Sequence, residues 1–230
     1  MGFNRENLLE GHRKRLRERF YRSDLRSFQD YEALELLLTY AIPRIDVKPI
    51  AKELLLQFGS VRGVLDAQPY ELFSIKNLGP SSVGLIRLFK ELSALYLEEK
   101  MRMEDRLDSS DKVSDFLRMK MSGSKKEFVI SIYLDIHDHL ITFKADPGTV
   151  DRANVYLREI VSRCLLCNAS KLIIAHNHPS GMIQPSANDI LFTRELNSVL
   201  GKLDIELRDH LIIADNMCHS IMPDVNYYQD

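Results

Sequence analysis

The run His176-Asn177-His178-Pro179-Ser180-Gly181, followed by Pro185-Ser186-Ala187-Asn188-Asp189, sets two imidazoles and a carboxylate close together in the chain. The residues before it, Lys171-Leu172-Ile173-Ile174-Ala175, form a short apolar run with strand character. In a strand, residues two apart point to the same face, so His176 and His178 can face one ion. Ser186 is a good N-cap, which puts Asp189 in the first turn of the following helix, where its carboxylate can swing back toward the strand end. Two imidazoles and a carboxylate with a fourth position open form the donor set of a catalytic zinc, whose water becomes acidic enough to attack a carbonyl near neutral pH. The same residues also admit plainer readings. A surface His-X-His is commonly solvated, and Ser186 with Asp189 fits a capping box that merely closes a helix end.

Working outward, the 230-residue chain is long enough for one large or two small domains. Its 45% apolar and 28% charged residues are ordinary for a folded globular protein. No basic and then apolar leader pattern opens it and no apolar run approaches bilayer length, so a cytoplasmic protein without a membrane partner is expected. Three cysteines cannot complete a disulfide framework. Cys164-Leu165-Leu166-Cys167 lies in a helical pattern among leucines and reads as buried thiols on one helix face.

A formal net charge of −2 argues against bulk electrostatic capture of nucleic acid, but residues 1–22 hold seven basic against three acidic side chains. Such a cluster can neutralise several phosphates; the alternative is a solvated helix face or a set of intramolecular partners. Upstream of residue 105 the pattern is almost entirely helical, over Arg13 to Tyr21, Tyr31 to Tyr40, Val47 to Phe58, Val61 to Ala67, Pro69 to Ile75 and Ser81 to Glu99. Within it, residues 72–86 resemble a helix-hairpin-helix DNA-binding element, with Asn77 where the first hairpin glycine usually stands. Backbone N–H groups at such a turn hold a phosphate without reading sequence. Lys76, Gly79 and Arg87 are the expected contacts, and an ordinary corner between helices is the alternative.

The polar stretch 105–111 reads as a linker, dividing the chain into 1–105 and 106–230. Beyond it strands and helices alternate. Phe128 to Leu134 and His139 to Phe143 form a hairpin, Asn154 to Cys167 a helix, Leu172 to Ala175 a strand, Ser186 to Leu200 a helix, Ile205 to Ile213 a strand and Ser220 to Met222 a last short one. His137 and His139 read as solvated turn residues, and His210 as an internal hydrogen-bonded residue near the site, paired with Asp209.

Taken together, His176-X-His178-Pro179-Ser180-Gly181 and Pro185-Ser186-X-X-Asp189 resemble the metal-binding motif of the JAMM (MPN-type) metalloproteases, in the variant carried by RadC-like proteins. Ala41 to Pro49 and Phe58-Gly59-Ser60 resemble the helical region that precedes this domain in RadC-like proteins. The resemblance implies an α/β, cytidine-deaminase-like sandwich with a separate all-α N-terminal domain. It implies zinc held by His176, His178 and Asp189, with Ser186 steadying the oxyanion of a tetrahedral intermediate. A label of DNA repair comes with the family.

The family mechanism also needs a glutamate on an upstream strand, and here the sequence departs. Leu140 to Thr149 contains no Glu, and the register puts Lys144 in its place. A protonated lysine cannot serve as base, and a cation beside zinc is electrostatically unfavourable. Asp146 is the nearest substitute and Glu159, on the next helix, the alternative. Two functions follow: a zinc-dependent amide hydrolase acting on a peptide or protein, or a non-catalytic DNA-binding or scaffold protein with a structural or degenerate metal site.

Overall fold

The computed structural model describes residues 5–103, 106–107, 109, 111–147 and 153–223; of 5–10 and 153–155 only the backbone is described. The chain divides into two compact units, Met1–Leu92 and Ser93–Asp230.

In the first unit, α1 (Arg5–Ser23), α2 (Asp30–Ala41), α3 (Lys48–Phe58), α4 (Val61–Asp66) and α5 (Pro69–Leu72) precede α6 (Pro80–Met103). Apolar residues at helical spacing, among them Leu34, Leu38, Ile50, Leu54, Val64, Leu72 and Ile86, meet in one core. Gly59 ends α3 in the left-handed region (φ 78°), and Ser60 caps α4 by accepting the Gly63 N–H at 3.0 Å. A Cβ on Gly63 would collide with the Phe58 carbonyl, so this corner requires glycine. Arg13 reaches across from α1 to the carbonyls of Thr39, Ile42 and Ile45 (3.4, 2.8 and 2.6 Å), closing the end of α2. Arg19 pairs with Glu32 at 2.8 Å and lies over the Phe28 ring. These two cations of the basic cluster are intramolecular partners; the side chain of Arg5 lies outside the described residues.

The expected linker does not coincide with the division between the units. Helix α6 continues to Met103, and its last turns contribute Leu97 and Met101 to the second core. Residues 104, 105, 108 and 110 lie outside the described residues. A helix absent from the sequence reading follows, α7 (Asp111–Met121), whose Val113, Phe116, Leu117 and Met121 recur at helical spacing and are buried. The polar residues that suggested a linker in fact lead into it.

The remaining elements are β1 (Phe128–Leu134), β2 (Leu140–Pro147), α8 (Ala153–Leu166), β3 (Lys171–Asn177), α9 (Ala187–Gly201), β4 (Glu206–Ala214) and β5 (Met217–Ser220). The five strands form one mixed sheet in the order β2-β1-β3-β4-β5, antiparallel except for the β3–β4 pair. β2 runs beyond the expected Phe143 because Lys144, Ala145 and Asp146 continue the ladder opposite Ser131, Ile130 and Val129. The last strand lies earlier than expected, with Cys218, His219 and Ser220 opposite Ile213, Ile212 and Leu211.

Alternation along the strands divides the sheet between two cores. Ile130, Ile132, Leu134, Ile173, Ala175, Leu211 and Ile213 pack with α7 and the end of α6. Tyr133, Leu172, Ile174 and Leu207 pack with Ile160 and Cys164 of α8 and Leu196 and Leu200 of α9. Burial pushes the Cys164 thiol up to about 12, so it stays protonated. Among the described residues no helix is long and apolar enough to cross a membrane.

Arg13→Ala should lower stability by about 2 kcal/mol, as expected for hydrogen bonds to a charged group. Urea unfolding measures it, and a loss under about 0.5 kcal/mol, typical of a plain surface position, would contradict the capping role.

Candidate metal centre

His176 and His178 lie at the end of β3 and one residue beyond it, on the face that carries Ile174. The chain then turns tightly, with the Gly181 N–H donating to the His178 carbonyl at 3.0 Å. Gly181 has φ +77°, and a Cβ there would come 3.0 Å from Asp215 Oδ2. The turn brings the Met182 carbonyl to 2.7 Å from His178 Nδ1. A carbonyl only accepts, so this nitrogen carries the proton and Nε2 of the neutral ring is a lone pair.

His176 reaches the same state through a longer chain. The Thr193 hydroxyl donates its one hydrogen to the Asp189 carbonyl at 2.5 Å, so it can only accept from His210 Nδ1 at 2.6 Å. His210 is buried, and that burial holds its pKa well below the ordinary histidine value and keeps it neutral. Its Nε2 therefore accepts from His176 Nδ1 at 2.9 Å, which leaves His176 Nε2 as a lone pair. The expected pairing of His210 with Asp209 is thereby replaced. Neighbours on a strand face opposite ways, and Asp209 accepts from Ser220 Oγ at 2.6 Å instead.

Two Nε2 atoms thus face each other at 3.0 Å. A proton on either nitrogen makes this a hydrogen bond, and with both rings neutral the two lone pairs are turned toward the neighbouring carboxylate. That carboxylate is Asp189, whose Oδ1 is 3.4 Å from His176 Nε2 and whose Oδ2 is 3.5 Å from His178 Nε2. The three side chains are the one group of metal-ligating residues found among the described residues. Asp189 serves the helix end as well: Oδ2 accepts from the Ser186 amide at 2.7 Å and from its hydroxyl at 2.6 Å. Burial opposes the charge of Asp189 and the Ser186 hydrogen bonds favour it; with His176 protonated, the carboxyl is held well below the usual range.

These residues line an open cleft of about 870 Å³ with Val129, Tyr156, Met182, Leu191 and Phe192, and two further carboxylates lie on its wall, Glu195 of α9 and Glu127. Glu127 immediately precedes β1. Val129 stands opposite His176 in the antiparallel β1–β3 pair, and continuing that register places Glu127 opposite His178. Glu127 and Val129 are two apart and share the face of the histidines.

Residues 107–225 match the RadC-like JAB domain family. The chain belongs to that family. A UPF0758 protein of Fusobacterium nucleatum is 38% identical over 93% of this chain and 95% of its own length. UPF0758 proteins of Paraburkholderia xenovorans and Paraburkholderia phytofirmans are each 37% identical over 89% of the chain, covering 81% and 79% of their own lengths. The mixed sheet flanked by helices is the JAMM-type fold of such a JAB domain.

Within this RadC-like JAB domain, the residues expected to supply or displace a base lie elsewhere. Lys144 pairs with Asp146 at 2.5 Å on β2, and neither they nor Glu159 line the cleft that holds the histidines. Glu127 lies at the head of the other arm of the hairpin, the arm that pairs with β3, and outside the Leu140 to Thr149 segment where a glutamate was expected. The available signal was a Glu at the head of the apolar run Phe128–Leu134.

Of the residues expected to touch nucleic acid, Lys76 is exposed, Arg87 lies 3.5 Å from Glu91, and the Gly79 N–H donates to Ser82 Oγ at 3.1 Å. Asn77 adopts φ 67°, the left-handed conformation the turn requires.

Thr193→Val removes the hydroxyl that orders the His210–His176 chain. It should weaken metal affinity about 10- to 100-fold, the usual effect of losing a group that orients a ligand. Competition against a chromophoric chelator measures this, and an unchanged affinity would contradict the proton assignment.

Proposed function

We propose that this RadC-like JAB domain is a zinc-dependent amide hydrolase acting on a peptide or protein, with Glu127 as its general base. The observation that carries the reading is the convergence of two Nε2 lone pairs and the Asp189 carboxylate on one wall of a cleft that also holds Glu127. Two imidazoles and one carboxylate suit zinc and leave a position for substrate chemistry. When bound, zinc supplies a Lewis acid and a water acidic enough to attack an amide carbonyl.

The protein's own groups do the rest. Glu127 takes a proton on its carboxylate and returns it to the departing amine. The Ser186 hydroxyl, which in this structure donates to Asp189 Oδ2, turns to the carbonyl oxygen as negative charge develops there. Thr193 and His210 keep the His176 proton on Nδ1 throughout. Met182, Leu191 and Phe192 give the cleft an apolar wall that receives a side chain and displaces water.

A second reading, DNA contact by the helical unit, is favoured by the exposed Lys76 beside the left-handed Asn77. It requires salt-dependent binding to duplex or single-stranded DNA that Lys76→Glu weakens. No binding at low salt would remove it.

Glu127→Gln should retain about one zinc per chain by elemental mass spectrometry, while hydrolysis of a peptide library falls about 10²- to 10⁴-fold. His176→Ala should lose the zinc. Retained zinc in His176→Ala would refute the ligand set, and undiminished hydrolysis by Glu127→Gln would refute the base.

A further inference from the structure

We infer that Asn177, the residue between the two histidines, is a positioning residue that ties Glu127 to the strand carrying them. The inference rests on Glu127 being the general base. Asn177 is 3% exposed, and alternation along β3 sends its side chain to the face opposite His176 and His178. There its Oδ1 accepts the Phe128 N–H at 2.8 Å and its Nδ2 donates to the Lys126 carbonyl at 3.1 Å. Those two peptide groups flank Glu127 on either side. One carboxamide therefore grips the backbone before and after the glutamate while Glu127 projects to the opposite face, into the cleft.

The position has few chemical solutions. The backbone ladder between β1 and β3 pairs Val129 with His176, and the Asn177 side chain extends the connection beyond that rung. The task needs an acceptor and a donor on one short planar group, which asparagine has. Aspartate offers no donor to the Lys126 carbonyl, and alanine reaches neither group. A buried carboxamide is unfavourable unless both ends are bonded, and here both are. One side-chain carboxamide thus fixes the base relative to the two ligands on either side of Asn177. Displacing a reacting group by about 1 Å commonly costs about 100-fold in rate.

The test uses the full chain loaded with cobalt(II) in place of zinc and reads the pH midpoint of its visible absorption band. The set is wild type, Glu127→Gln, Asn177→Ala, Asn177→Asp and the double variant Glu127→Gln with Asn177→Ala. Asn177→Asp keeps the volume and the bond to the Phe128 N–H, so it serves if the alanine variant fails to fold. Glu127→Gln is expected to shift the midpoint by about one pH unit, a tenfold change in proton affinity, or to abolish the transition. Both Asn177 variants should bind one cobalt with wild-type affinity yet move the midpoint in the same direction, and the double variant should match Glu127→Gln.

A wild-type midpoint in the Asn177 variants, beside a shifted one in Glu127→Gln, overturns the positioning role and leaves the base assignment standing. Loss of cobalt affinity in the Asn177 variants, or a further shift in the double variant, also overturns it, because Asn177 would then act on the ligands directly. An unmoved midpoint in Glu127→Gln refutes the base itself, and the positioning role with it.

Discussion

The antiparallel register between β1 and β3 is the constraint on which the site depends. With Val129 opposite His176, the face of β1 that carries Val129 and Glu127 is the face of β3 that carries both histidines. A slip of one residue would exchange the two faces, sending Glu127 to the α7 side and Ile130 and Ile132 toward α8 and α9. The cores on either side of the sheet oppose that slip. Each is filled by alternate residues of the same strands, so the packing that stabilises the fold also keeps the carboxylate beside the imidazoles.

Hydrogen-bond direction supplies the second level of order. The chain from the Asp189 carbonyl through Thr193 and His210 to His176 has one direction available to it, because a carbonyl cannot donate and a hydroxyl has one hydrogen. It begins on the backbone of the residue whose side chain completes the donor set. Helix α9 thereby orients the site twice, through the Asp189 carboxylate near the imidazoles and through its carbonyl behind them. The capping box at Ser186, an alternative to a metal site when read as sequence, is compatible with the candidate one, since the Asp189 carboxylate closes the helix and faces the histidines together.

The sequence showed what depends on local pattern. His176, His178 and Asp189 are near neighbours in the chain, and strand alternation followed by an N-cap brings them together without long-range information. The tolerance of Asn77 for positive φ was legible for the same reason. Glu127 was not, because its place in the site follows from which arm of the hairpin lies next to β3. Strand order is a long-range property that periodicity within a strand does not encode. His210 was recognised as internal but given a neighbour in sequence, where the fold supplies partners 34 and 17 residues away. Helix α7 was obscured because Asp111 and the serines before it share the polarity of a linker, although Val113, Phe116 and Leu117 already carried the helical period.

The most direct measurement is anomalous diffraction at the zinc edge from crystals of the zinc-loaded chain. The account requires a single peak about 2 Å from Nε2 of His176, Nε2 of His178 and an Asp189 oxygen, within the usual range for such ligands. The Glu127 carboxylate should face its open side. A peak coordinated through Nδ1, a peak held by other residues, or a Glu127 turned out of the cleft would contradict it.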